Sequence, residues 1–289
     1  MPISESEKIY IENGQLSAVI DCRGAQLKSL KKDGVETLWQ GDKRFWTETA
    51  PVLFPICGGL KDDTYILGGK QYSLQKHGFA CNLEFEGQRI SAESARFILR
   101  SDKYTLEKYP YEFIFTVTFT LHDNMLRTEY KVKNMNERDM YYSVGAHEGF
   151  VCKEGIEACS VVFDRQEKFE TCVVQDGLLS RKKQKILSDG NTIDLKEEYF
   201  TVDALIFENV NSDSVTLINH KNPRKITVEF KDFENLLIWT VPGAGYVCIE
   251  PWSGFPDYID TDKDFTKKTA IQKILPYGTA VKTHIITID

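Results

Sequence analysis

The sequence predicts an all-β protein built as one large antiparallel β-sandwich. Apolar residues recur mostly with a period of two, which is the spacing of a half-buried strand. Phe and Tyr, which favour strands, number 17 and 13 among the 289 residues. Many short β-rich runs are separated by glycine turns, whereas helical periodicity is scarce. No linker or low-complexity tract divides the chain, so we expect one domain over residues 1–289.

The clearest element is a hairpin between residues 113 and 132. Apolar residues alternate over 113–121 and again over 126–132, around a turn at His122-Asp123-Asn124. Short strands are also predicted at residues 15–20, 95–99, 214–219, 225–230, 235–240 and 281–288. Residues 195–200 are the one stretch expected to form one or two helical turns.

The charge balance and the cysteines limit the partners and the compartment. A formal net charge of −7 argues against nucleic acid or an anionic membrane as the main partner. The densest cationic run, Arg181-Lys182-Lys183, is short and is typical of a solvated loop. Seven cysteines are scattered without a CxxC pair, which indicates a reducing cytoplasm. No apolar run has the length of a signal-peptide core or of a membrane span.

One carboxylate stands out as a candidate for chemistry. Glu250 follows the strongly apolar run 246–249 and precedes a Gly/Pro-rich turn that contains Trp252. A carboxylate in such poorly solvated surroundings needs a use or a partner, because burying a charge is unfavourable. A salt bridge or an exposed strand end would explain the same position.

Two of the five histidines lie in segments that resemble pocket walls. His77 precedes Gly78, and His147 is flanked by small residues at 145, 146 and 149. A histidine bonded in a tight turn is the alternative for either one. His122, His220 and His284 are most simply structural or surface residues. Two imidazoles and one carboxylate suit proton transfer near neutral pH.

Other chemistries find less support in the sequence. His77 and His147 have no second His or Cys at metal-ligand spacing, so no metal is expected. The cysteines occupy apolar strand contexts typical of inert thiols, and no glycine-rich phosphate loop is present. Several aromatic residues are able to stack on a sugar ring, although core packing is the alternative for each: Trp46, Phe54, Phe79, Trp239 and Trp252.

Several motifs, in order along nearly the whole chain, resemble the galactose mutarotase (aldose 1-epimerase) superfamily, most closely its LacX-type branch. The matching segments are 11–16 (IENGQL), 24–27 (GAQL), 38–42 (LWQGD), Trp46 with 50–55 (APVLFP), 76–80 (KHGFA), 145–147 (GAH), 203–207 (DALIF) and 239–257. The resemblance implies a twisted antiparallel supersandwich with an open groove. It also implies cofactor-independent interconversion of the α and β anomers of a free aldose.

The resemblance assigns roles residue by residue. Glu250 matches the general base that takes the proton of the anomeric hydroxyl, and His147 matches the general acid at the ring oxygen. His77 matches the second active-site histidine, which holds the sugar. Asp203 falls where a hydroxyl-binding aspartate is expected. Trp46, Phe79, Lys61 and Trp252 complete the expected substrate-binding set.

Two positions depart from the family pattern. Gly59 stands where the family usually has an arginine that contacts sugar hydroxyls, and Lys61 is the candidate substitute. Glu148 stands where proline commonly follows the histidine. Its carboxylate would raise the pKa of His147 if the two side chains approached, or would point into solvent.

The leading interpretation is a mutarotase acting on a free sugar. A non-catalytic carbohydrate-binding protein on the same scaffold is favoured by the missing arginine and disfavoured by the retained Glu250, His77 and His147. A sugar-phosphate mutarotase would need arginines around the groove. A glycosidase would need two carboxylates astride the scissile bond and has the least support.

Overall fold

The fold is described from a computed structural model, which covers residues 6–289. Strands hold 48% of the residues and helices 8%, which confirms the predicted all-β class. The strands are, in chain order, β1 (Lys8–Glu12), β2 (Leu16–Asp21), β3 (Gln26–Lys32), β4 (Val35–Glu36), β5 (Thr64–Leu67), β6 (Lys70–Ser73), β7 (Glu86–Arg89), β8 (Ser94–Arg100), β9 (Phe113–His122), β10 (Met125–Asn134), β11 (Met140–Tyr142), β12 (Glu148–Val151), β13 (Cys159–Phe163), β14 (Glu170–Gln175), β15 (Leu178–Lys185), β16 (Thr192–Asp194), β17 (Leu205–Phe207), β18 (Ser214–Asn219), β19 (Lys225–Glu229), β20 (Asn235–Trp239), β21 (Tyr246–Trp252), β22 (Gln272–Ile274) and β23 (Thr279–Ile288).

The strands form antiparallel sheets. The largest sheet has nine strands in the order β16-β13-β18-β19-β23-β10-β9-β8-β7. Two sheets have four strands each, in the orders β12-β21-β20-β17 and β1-β2-β3-β4. The pairs β5-β6, β11-β22 and β14-β15 form two-stranded sheets. Every strand pair in these sheets runs antiparallel, as the sequence predicts.

The β12-β21-β20-β17 sheet packs one face against the nine-stranded sheet. Val247 and Ile249 of β21 belong to the same buried cluster as Tyr130 of β10 and Ile286 of β23. Because successive side chains of a strand point to opposite faces, the alternate residues of β21 face away from this core. Those residues are Tyr246, Cys248, Glu250 and Trp252. The sandwich therefore leaves one face of this sheet available for a site.

The predicted strands agree with the observed ones. The hairpin is β9 and β10, with Leu121 opposite Leu126 and His122 opposite Met125. The six other predicted strands correspond to β2, β8, β18, β19, β20 and β23, with ends that differ by two residues or fewer. Period-two alternation identifies most of these strands because each of them has one buried and one more exposed face. β20 is the exception, since all of its residues except Trp239 are buried.

Helices are few and short. Residues 195–200 contain a 3₁₀ turn at Glu197–Phe200, in agreement with the prediction. The sequence analysis missed α1 (Lys103–Lys108), where the Asp102 carboxylate accepts a hydrogen bond from the Thr105 N–H at 2.8 Å. Six residues are too few to show a helical period. Further 3₁₀ turns lie at Lys61–Asp63, Ala80–Asn82, Ile156–Ala158 and Phe265–Lys267. Between residues 6 and 289, no helix combines the length and the apolar character needed to cross a bilayer.

The carboxylate of Glu148 points into the sandwich core. Glu148 lies opposite Ile249 in the ladder, so its side chain shares the core face rather than the face of Glu250. Its Oε1 atom lies 3.1 Å from Nε2 of His284, and both side chains are buried. The His284 ring stacks on Tyr130, with 5.7 Å between centroids. Both expectations for Glu148 were therefore wrong, because strand alternation directs it neither toward His147 nor into solvent.

This buried pair predicts a loss of stability on truncation. Glu148→Ala should lower the free energy of unfolding by about 1–3 kcal/mol, because it leaves a buried imidazole nitrogen without its neighbour. The control is Glu129→Ala, which removes a carboxylate with 29% exposure that is paired with the exposed Arg127, and it should change stability by about 1 kcal/mol or less. Urea unfolding of both variants measures the difference. Equal unfolding midpoints for the two variants would show that the Glu148–His284 pair does not stabilise the fold.

Candidate active site

The open face of the β12-β21-β20-β17 sheet forms the floor of a cavity of about 430 Å³. Glu250, Leu237 and Ile206 lie side by side on three neighbouring strands, and all three line the cavity. A cavity of this size is within the range of small-molecule sites. The ionisable and amide side chains that line it are Glu48, Lys76, His77, Cys81, Asn82, His147, Asp203 and Glu250.

Glu250 is the most deeply buried carboxyl group of the cavity, with 1% of the residue exposed. Burial raises its pKa well above the usual glutamate value, and the negative charges of Asp203 and Glu148 act in the same direction. The positive charge of Lys76 opposes this shift. Glu250 thus holds a proton more tightly than an exposed glutamate does.

His147 lies directly beside Glu250. It precedes β12 by one residue, which continues the ladder register and places it next to Glu250. Its Nε2 atom lies 3.3 Å from Oε2 of Glu250, and its ring stacks on Trp46 with 5.0 Å between centroids. Burial lowers the pKa of His147, and the charge of Lys76 lowers it further. Nδ1 of His147 is buried and has no hydrogen-bond partner within residues 6–289.

Together, Glu250 and His147 form a pair that shares one proton. The raised carboxyl pKa and the lowered imidazole pKa favour a neutral acid beside a neutral imidazole. Moving that single proton from Glu250 to His147 would give a carboxylate and an imidazolium with the same net charge. The environment of the two groups therefore keeps the proton on the carboxyl.

His77 reaches the cavity from a tight turn. Its backbone has a φ of 69°, and Gly78 follows with a φ of 78°. A Cβ atom on Gly78 would lie 2.4 Å from the carbonyl oxygen of Phe54, so only glycine fits there. Nδ1 of His77 accepts a hydrogen bond from the Gly58 N–H at 3.2 Å. Burial, followed by the charges of His147 and Lys76, lowers the pKa of His77, so the neutral ring carries its proton on Nε2.

Tryptophans form much of the cavity wall. Trp46, Trp239 and Trp252 all line it, and the Trp239 ring meets His147 edge-on at 5.8 Å. Trp252 is held in place because its Nε1–H donates to the carbonyl oxygen of Ala146 at 3.1 Å. Flat apolar walls around a few polar groups are well suited to a sugar ring.

Comparison with known proteins agrees with this architecture. The model of the family described as aldose 1-epimerase matches residues 7–272. The plasmid-encoded protein LacX of Lactococcus lactis subsp. lactis is 33% identical over 298 residues, covering 97% of this chain and 99% of its own. The chain belongs to the aldose 1-epimerase family.

Solved structures show the same fold. A galactose mutarotase related enzyme from Lactobacillus acidophilus has a TM-score of 0.92 and 32% identity, covering 98% of this chain and 97% of its own. A galactose mutarotase-like protein from Lactobacillus casei ATCC 334 has a TM-score of 0.93 and 27% identity, covering 98% and 100%. The predicted supersandwich and the predicted membership of the LacX-like branch are both confirmed.

Two of the expected substrate-binding residues lie outside the cavity lining. Phe79 is 4% exposed and packs in the core against Phe54 and Tyr109. Lys61 donates its Nζ–H to the carbonyl oxygen of Ile259 at 2.7 Å, which holds the side chain at another position. The expectation for both residues was wrong, because tertiary packing gives them other partners.

Lys76 supplies the positive charge that Lys61 was expected to supply. It lines the cavity and acts on the pKa of His77, His147 and Glu250. Its only sequence signal was its position next to His77. Asp203 lines the cavity as expected, while Glu48 and Asn82 were missed because nothing in their local sequence marks them.

At position 59, the family arginine would meet a neighbouring segment. A Cβ atom on Gly59 would lie 3.6 Å from the carbonyl oxygen of Gly177, in the turn between β14 and β15. Gly177 itself lines the cavity. The β14–β15 hairpin therefore lies next to the position from which an arginine side chain would extend.

The stacking of Trp46 on His147 depends on a glycine. A Cβ atom on Gly149 would lie 2.9 Å from Cζ3 of Trp46. Gly149→Ala should displace the indole and lower the free energy of unfolding by about 1–3 kcal/mol. Gly59→Ala is the control, since its nearest neighbour at 3.6 Å is an ordinary contact. Thermal unfolding of both variants provides the test, and an unchanged midpoint for Gly149→Ala would contradict this role of the glycine.

Proposed function

We propose that this protein interconverts the α and β anomers of a free aldose by acid–base ring opening. The observation that carries the proposal is the buried Glu250–His147 pair, 3.3 Å apart at the floor of a sugar-sized cavity with His77 beside it. Ring opening needs a proton removed at one oxygen and a proton delivered at another. Two adjacent groups that share one proton can perform both transfers.

In the forward direction, Glu250 acts as the base and His147 as the acid. The Glu250 carboxylate takes the proton of the anomeric hydroxyl while the imidazolium of His147 gives its proton to the ring oxygen. The bond between C1 and the ring oxygen breaks, which leaves an open-chain aldehyde. His77, neutral and with its proton on Nε2, donates a hydrogen bond to a sugar oxygen and holds the ring in position.

Ring closure reverses these transfers on the other face of the aldehyde. The aldehyde group rotates, His147 takes back the proton of the ring hydroxyl, and the hydroxyl oxygen attacks C1. Glu250 returns its proton to the new anomeric oxygen, so both residues regain their starting states. Asp203 binds sugar hydroxyls, and Trp46 and Trp252 enclose the sugar ring.

Bound sugar has to favour the charged form of the pair. The dry cavity alone favours the neutral form, whereas the reaction needs the carboxylate and the imidazolium. Sugar hydroxyls that donate to the carboxylate stabilise its charge. The ammonium of Lys76 favours the carboxylate of Glu250 but opposes the imidazolium of His147. Substrate binding thereby converts the resting pair into the reactive one.

Loss of either partner should abolish most of the catalysis. Glu250→Gln and His147→Asn are each expected to reduce kcat about 10²–10⁴-fold, since each removes one of the two proton transfers. Both variants should fold, because the replacement side chains are close in size to the originals. Polarimetry on the best sugar measures the rates, with Glu129→Gln as the surface control. A wild-type rate in either variant would remove that residue from the mechanism.

The shared proton predicts a wide pH optimum. A second proton on the pair must go to His147, whose pKa is lowered, so the acid limb of kcat/KM should lie below the ordinary histidine value of 6.5. Loss of the only proton must come from Glu250, whose pKa is raised above 4.5, so activity falls only as the pH rises through that raised value. The profile is measured after subtraction of the uncatalysed rate. An acid limb at or above 6.5 would contradict the assignment.

Neutral sugars should be preferred to sugar phosphates. The carboxylates that line the cavity are Glu48, Asp203 and Glu250, and Lys76 is the only Lys or Arg among the described lining residues. A phosphate dianion would meet a negative site without the guanidinium that binds it best. Saturation-transfer NMR on glucose, galactose and their 6-phosphates at equal subsaturating concentrations compares exchange rates. Faster exchange of a 6-phosphate would favour a sugar-phosphate mutarotase, and binding without exchange would favour a carbohydrate-binding protein.

A further inference from the structure

The fold brings together a set of metal-binding side chains that sequence spacing did not reveal. Cys248 and Glu250 are two residues apart on β21, so both side chains leave the sheet on the same face. Glu250 lines the cavity, whereas Cys248 lies beneath the lining, packed with Tyr246 and Ala244. His147 joins them from the neighbouring strand. One donor atom from each of the three residues lies within 4.8 Å of the other two. Cys248 lies opposite Gly149 on one side and Trp239 on the other.

Burial decides the protonation of the donors before any ion binds. Cys248 is fully buried, and burial raises the pKa of its thiol, so the thiol keeps its proton until an ion displaces it. Nδ1 of the buried His147 has no hydrogen-bond partner among the described residues, so no partner on that side fixes the imidazole ring. The surrounding carboxylates Asp203 and Glu148 make the position favourable for a cation, as their effect on Glu250 shows. Only Lys76 contributes an opposing positive charge to that carboxyl.

We propose that His147, Cys248 and Glu250 bind Zn²⁺ at the base of the cavity, and that metal and sugar exclude each other. Thiolate, imidazole and carboxylate are the ligands that Zn²⁺ takes, at ~2.0–2.3 Å, and three protein ligands leave a fourth position open. Mg²⁺ and Ca²⁺ prefer oxygen ligands and do not suit this set. The three donor atoms need to draw in by roughly 1 Å, which side-chain rotation provides.

Binding of the ion releases protons and removes the catalytic pair. Zn²⁺ replaces the proton of the Cys248 thiol and the proton shared by Glu250 and His147, so two protons are released for each ion bound. The ion then occupies the atoms that would transfer protons to the sugar. Zinc is thus an inhibitor that enters from the cavity, and anomerisation itself proceeds without it. This inhibitory effect rests on the proposed function, whereas the binding site does not.

Direct metal binding tests the site without reference to activity. Full-length protein treated with EDTA and then freed of chelator is titrated with Zn²⁺ by calorimetry, and with Co²⁺ to detect the near-ultraviolet band of a cobalt–thiolate bond. One tight site per chain and the thiolate band are expected. Cys248→Ser should weaken Zn²⁺ binding by more than about tenfold and remove the band. Cys22→Ser is the control, since Cys22 is also buried but does not belong to the cluster of His147, Cys248 and Glu250, and it should bind like the wild type.

Competition with sugar is tested separately. Added Zn²⁺ should raise the apparent KM for the best sugar, Mg²⁺ should leave it unchanged, and the chelator-treated protein should retain its full rate.

Cys248→Ala serves as the second variant if Cys248→Ser does not fold. Absence of a tight Zn²⁺ site in the wild type, or equal binding by the folded Cys248 variant, would overturn the site. Zn²⁺ binding that leaves the apparent KM for the sugar unchanged would overturn the proposed competition between metal and sugar. A protein that binds zinc through Cys248 but has no anomerase activity would contradict the proposed function and leave the site standing.

Discussion

The burial of Glu250 against His147 is the constraint on which the rest of the site depends. A carboxylate with 1% exposure is unstable as an isolated charge, so it must be protonated or paired. Burial keeps the proton on the Glu250 carboxyl, 3.3 Å from the neutral imidazole of His147. Trp46 and Trp239 pack against that imidazole, and the charge of Lys76 lowers the pKa of both groups. The proton transfer proposed for this pair therefore starts from groups that burial holds in their neutral forms.

Strand alternation supplies the geometry for this pair. His147 and Glu250 lie on the cavity face of the β12-β21-β20-β17 sheet, while Glu148 and Ile249, one residue along on each strand, lie in the core. One sheet thus holds the reactive pair on one side and the buried Glu148–His284 pair on the other. A shift of either strand by one residue would exchange the two faces and destroy both pairs. The close packing of the sandwich core accordingly fixes the catalytic geometry.

Membership of the aldose 1-epimerase family accounts for the scaffold and for the residues that match its motifs. Positive charge in the cavity comes from Lys76, while Gly59 lies outside the lining, beside the β14–β15 turn. A flexible ammonium neutralises charge without the bidentate geometry of a guanidinium. In the proposed reaction, sugar hydroxyls therefore meet an ammonium rather than a guanidinium.

The sequence by itself determined the all-β class, eight of the 23 strands between residues 6 and 289, and the three residues at the centre of the site. Strands follow from local alternation, and the motifs around His77, His147 and Glu250 are contiguous in the chain. Tertiary structure decided the rest. Phe79 and Lys76 lie three residues apart in one motif, yet packing sends Phe79 into the core and leaves Lys76 in the cavity. The Glu148–His284 pair joins two distant strands, and the donor set of His147, Cys248 and Glu250 requires two neighbouring ones. Such contacts depend on which strands become neighbours and on which face each residue occupies, and neither is encoded in local spacing.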